Sequence, residues 1–64
     1  MTSEILERID TKHKAYLENR KSVLSKTNKP DDVLGEIRGY LKGLVTCGVI
    51  SPLEFRILYN YYKF

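Results

Sequence analysis

Few side chains in this 64-residue chain have types suited to chemistry, and they are scattered. His13 could serve as a proton shuttle or metal ligand, Cys47 as a thiolate, and Asp31 with Asp32 as a carboxylate pair. Each lacks the companions its chemistry needs. A helical metal pair requires a second imidazole three or four residues away, and none stands there relative to His13. Cys47 has no partner for a disulfide and reads as a small buried hydrophobe in a reducing compartment. Asp31 and Asp32 follow Pro30 directly, where acidic residues oppose the positive end of a helix dipole. No Ser-His-Asp set, Cys pair, phosphate-cradling glycine loop or H-E-x-x-H string is present. The sequence therefore predicts no enzyme, no cofactor and no metal site.

Size points the same way. A chain this short has no room for a barrel or a doubly wound sheet, which need roughly a hundred residues or more. With 42% hydrophobic and 30% charged residues, it has the composition of a folding domain. A domain of about 60 residues buries only about 60% of the surface of its unfolded chain, so self-association or a partner is expected to add stability. The charge of +3 is unevenly spread: residues 11–29 carry six bases against Glu18, whereas residues 30–64 balance four against four. That excess could meet nucleic acid or an acidic protein surface. No leader-like or membrane-spanning stretch is visible, so a soluble cytoplasmic protein is expected.

The elements that must position these residues are helical, and no strand is predicted. Leu6, Ile9, Tyr16 and Val23, with Ile5, Leu17 and Leu24 beside them, recur at helical spacing. They predict one long helix over about residues 3–26, capped by Thr2 or Ser3 and about 35 Å long, which must overhang or pair. The cluster Thr27-Asn28-Lys29-Pro30-Asp31-Asp32 breaks the chain. Val33, Leu34, Ile37, Tyr40, Leu41, Leu44 and Val45 then predict a second helix over residues 31–47, closed by Gly48 as a left-handed cap. Ser51-Pro52-Leu53-Glu54 is a capping box with proline at the first helical position, and Ile50 and Phe55 can staple it. A third helix over residues 52–63 completes a tight helical hairpin. The expected fold is all-α: three helices in a single domain over residues 1–64, assembled as a homodimer.

The third helix carries the main argument for a partner. Arg56, Asn60 and Lys63 form a narrow polar stripe, and apolar residues cover most of the rest, interrupted by Glu54. Two companion helices cannot bury so wide an apolar arc. Five of the seven aromatics lie in the last ten residues, and tyrosine suits interfaces. Phe55, Leu58, Tyr59, Tyr62 and Phe64 are therefore the expected dimer or partner surface. His13 and Arg20, seven apart in heptad-like positions, are expected to set register between paired helices. Gly35, Gly39 and Gly43, spaced four apart, offer a smooth face that a partner helix could approach closely. Lys12, Lys14, Lys21 and Lys26 form a basic contact surface, though Lys14 and Lys21 lie on one flank and Lys12 and Lys26 on another.

The stretch Ile37-Arg38-Gly39-Tyr40-Leu41-Lys42-Gly43-Leu44-Val45, followed by Gly48-Val49-Ile50-Ser51-Pro52-Leu53-Glu54-Phe55, resembles a helical hairpin of short orphan proteins from Gram-positive phages and mobile elements. The resemblance covers about the second half of the chain and assigns no functional residue. It implies a modulator of a host or phage protein, including an antagonist of host defence. The favoured expectation is thus a non-enzymatic protein that inhibits or redirects a protein partner by stoichiometric binding. The alternative is a small helix-turn-helix DNA-binding transcriptional regulator; its would-be recognition helix offers only Arg56, Asn60 and Lys63 to bases.

Overall fold

The computed structural model describes residues 2–63, with only the backbone described for Thr2. Four helices and no strand occur among these residues: α1 (Thr2–Arg8), α2 (Thr11–Lys26), α3 (Pro30–Thr46) and α4 (Pro52–Tyr62). The all-α expectation holds, but the single helix over residues 3–26 does not. It is broken at Ile9 and Asp10, where Asp10 takes φ −58° and ψ 142°, outside the helical region. The Asp10 carbonyl then accepts the Lys14 amide at 3.0 Å and starts α2. Ser3, expected as a cap, lies inside α1.

Burial explains the break. A straight helix would carry Ile5, Leu6 and Ile9 past the rest of the protein, whereas the turn at Asp10 folds α1 back onto α4. Ile5 and Ile9 become core residues and Leu6 packs against them. Burying a branched aliphatic side chain is worth about 1.5–3 kcal/mol. A helical hydrogen bond exchanged for water is worth only about 0.5–1.5 kcal/mol, so docking outweighs continuity. Arg8 also pairs with Glu54 across the α1–α4 junction.

The second half follows its local signals closely. Pro30 begins α3 with Asp31 and Asp32 in its first turn, and Thr27 Oγ1 accepts the Lys29 amide in the connection before it. At the other end Gly48 adopts φ 77°. Its amide reaches the Val45 carbonyl and the Val49 amide reaches the Leu44 carbonyl, the paired bonds of a Schellman motif. The capping box is complete: Ser51 Oγ accepts the Glu54 amide at 3.1 Å, and the Ser51 amide donates to Glu54 Oε1 at 2.9 Å. Ile50 is buried and Phe55 packs against the same core. Cys47 departs from expectation. It caps α3 at the hairpin turn and is exposed, not buried.

The core runs through all four helices: Leu17 and Leu24 from α2, Val33, Ile37, Leu41 and Leu44 from α3, Leu58 and Tyr62 from α4, and Ile5 from α1. Helix α3 packs on both α2 and α4, and α1 closes the open side of α4. The described molecule measures 32 × 19 × 18 Å, shorter than the first helix of about 35 Å expected to overhang or pair.

Candidate protein-interaction surfaces

The expected interface residues of α4 divide into two groups. Leu58 and Tyr62 are buried within the single chain and are used up by its own core. The expectation that two companions would leave them uncovered assumed an unbroken first helix; α1 is the third companion. Phe55 and Tyr59 remain half-buried, with parallel rings 6.2 Å apart. Phe64 lies outside the described residues. Two residues not singled out from the sequence are more exposed than Phe55, Leu58, Tyr59 or Tyr62: Leu53 at 64% and Tyr61 at 46%. With half-buried Ile57 between them, they form an i, i+4, i+8 outer ridge on α4 that borders α1 at Leu53 and Ile57 and α2 at Tyr61.

His13 and Arg20 make their contacts between α2 and α3 of one chain. His13 Nδ1 and Tyr40 Oη are 2.5 Å apart. Tyr40 stacks on Tyr16 with centroids 4.1 Å apart. One turn further along α2, Arg20 lies 5.7 Å from the Tyr16 ring and donates to Glu36 Oε2 at 2.8 Å and to Asn19 Oδ1. This polar seam is intramolecular, so neither residue is available in the role expected of it between chains.

The glycines of α3 behave differently from that seam. Gly35, Gly39 and Gly43 are exposed, and a Cβ at any of them would meet nothing within 4 Å. No helix of this chain approaches them. The expected basic surface does not assemble either. Lys12 and Lys26 lie near opposite ends of α2, about 21 Å apart along its axis. Lys14 is half-buried. Lys21 donates to Tyr61 Oη at 2.9 Å, with its ammonium 4.2 Å from the centre of the Tyr61 ring.

A better-formed surface lies between α3 and α4. Arg38, Lys42, Val45, Pro52 and Phe55 line a shallow groove of about 200 Å³. Val45 and Phe55 form a half-buried apolar floor, while Arg38 and Lys42 are exposed one turn apart above it. Neither cation is within 4 Å of a carboxylate among the described residues. Glu54, the nearest acid on α4, is engaged by Arg8 and the Ser51 amide. Sequence arithmetic hid this pair, because Arg38 and Lys42 cancel Asp31 and Asp32 in a segment sum although the charges are separated in space.

A second cleft, of about 400 Å³, opens between α2 and the end of α4, lined by residues that include Leu6, Glu18, Lys21 and Tyr61. Its single cation is already held by Tyr61. Among the described residues no three His, Cys, Asp or Glu side chains gather as a metal site, and no helix is long and apolar enough to cross a membrane. Protein-family models, curated proteins and solved structures contain no match to this chain, so any account of its action rests on these surfaces.

Proposed function

We propose that this protein is a small non-enzymatic binding module, assembled as a helical homodimer, that inhibits or redirects a larger protein by occupying its surface stoichiometrically. One observation carries the reading: α4 keeps partly or fully exposed apolar side chains on both flanks after α3 and α1 have packed against it. Phe55 lines the α3–α4 groove with half-buried Tyr59 stacked beside it, and Leu53, Ile57 and Tyr61 form the outer ridge. Aromatic and arginine side chains are the usual carriers of binding energy at protein interfaces, and here Phe55 and Arg38 line one groove. In this reading the outer ridge meets a second copy and the groove meets the target. The resemblance of the hairpin to phage and mobile-element proteins makes a cytoplasmic host protein the target class, including a component of host defence.

The test is capture from a bacterial lysate by the tagged chain. We expect one protein at about one-to-one stoichiometry that survives nuclease treatment and is competed away by excess untagged chain. Recovery of nucleic acid alone overturns the reading in favour of a DNA-binding regulator using the exposed Arg56, Asn60 and Lys63 of α4.

A further inference from the structure

We propose that the groove between α3 and α4 receives an acidic amphipathic helix of a partner protein, with partner carboxylates on Arg38 and Lys42 and one apolar side chain against Val45, Pro52 and Phe55. This rests on the binding-module reading and supplies the chemistry of its target.

Charge is the first ground. Arg38 and Lys42 stand at i and i+4, about 6 Å apart along the axis, where like charges repel each other. No carboxylate of the described chain relieves them. Asp31 projects from the same flank of α3, but it lies about 10 Å from Arg38 along the axis, roughly one Debye length in physiological salt. On the facing helix, Arg56 is exposed but projects about 70° away from the Pro52 and Phe55 direction, and neither it nor Lys63 lines the groove. Both cations that line the groove therefore belong to α3, facing the apolar Pro52 and Phe55 of α4.

Shape and polarity are the second ground. The groove of about 200 Å³ falls below the roughly 300–1,000 Å³ of small-molecule pockets, so it suits a single anchoring side chain. Its floor lies between two packed helices, where a third helix can lie along the furrow and present residues at i, i+3 and i+4. Glutamates four apart on that helix match the spacing of Arg38 and Lys42. A phosphate backbone would use the cations but leave the apolar floor of Val45 and Phe55 unsatisfied, and its affinity depends on many phosphate contacts.

The experiment is a titration of the isotope-labelled full chain, followed through its backbone amide resonances, with three probes. These are a synthetic helical peptide bearing glutamates four apart beside a leucine face, the same peptide with lysines for glutamates, and a short DNA duplex. The expected result is a set of shifts from the acidic peptide confined to the groove walls, residues 38–45 and 52–59. Arg38→Glu with Lys42→Glu should weaken that binding about tenfold while preserving the dispersed spectrum of the fold. Phe55→Ala should weaken it with no change in its salt dependence.

Four outcomes overturn the proposal: no shift at millimolar acidic peptide, shifts on another face, unchanged affinity after charge reversal, or duplex DNA shifting the same amides at lower concentration. The two readings separate cleanly. A lysate protein still captured by the charge-reversed chain keeps the binding module and removes the groove from it. Failure to capture any protein removes the module, while the titration reports on the groove alone.

Discussion

At the scale of single residues, the glycines of α3 and the tyrosine of the core make opposite predictions. Gly39 sits mid-helix, exposed, with open space where a Cβ would go. Glycine there is less favourable than alanine by about 0.8–1 kcal/mol. Gly39→Ala should therefore stabilise the protein and raise its thermal midpoint by about 4–8 °C, read by circular dichroism. Tyr62 is pushed up to about 12, chiefly by burial and further by Tyr61 and Glu18. Its folded value thus exceeds the ordinary value of 10, so the folded state holds the phenolic proton after the unfolded chain has lost it. Stability linked to Tyr62 is complete below pH 10 and is lost as pH rises from 10 to 12. Each unit corresponds to about 1.4 kcal/mol at most. Tyr62→Phe should abolish that part of the alkaline loss. Comparing urea unfolding of the two proteins at pH 9 and pH 11 provides the check.

At the scale of elements, the starts of α2 and α4 differ in what their caps do. Ser51 and Glu54 exchange both hydrogen bonds of the capping box, and Glu54 also pairs with Arg8, so one carboxylate starts α4 and ties α1 to it. Asp10 starts α2 without any side-chain hydrogen bond. Ser51→Ala should cost about 1 kcal/mol, and Asp10→Ala less than half of that. Denaturant midpoints for the two variants decide it; equal losses would contradict this account of the Asp10 turn. The hairpin from α3 to α4 was legible because its signals are local: Gly48, Ser51, Pro52 and Glu54 each act within one turn. The break at Asp10 was not, since its cause is the burial of Ile5 and Ile9 against a helix more than forty residues away. Asp10-Thr11 did carry a hint, both residues being better suited to helix starts than to interiors.

At the scale of the whole molecule, the outer ridge of α4 makes the prediction. Leu53 and Tyr61 are exposed at either end of Ile57 on one face of α4, and a two-fold axis near Ile57 would set Leu53 of one copy against Tyr61 of the other. Sedimentation at micromolar concentration should show twice the chain mass of 7.5 kDa, and Leu53→Ser should return it to the monomer. A monomer with the unaltered chain would remove the dimer and leave the α3–α4 groove untouched.

The sequence by itself determined the helical class, the hairpin and the apolar excess of the last helix, because periodicity and caps act between neighbours along the chain. Only the tertiary structure decided which of those apolar residues are spent inside. Once α1 folds back, Leu58 and Tyr62 enter the core, while Leu53, Phe55, Tyr59 and Tyr61 keep exposed surface. It also decided that His13 and Arg20 join α2 to α3 and that no carboxylate among the described residues lies within 4 Å of Arg38 or Lys42. The physical reason is that burial and electrostatic pairing depend on distance in space, and the turn at Asp10 changes those distances for the whole chain.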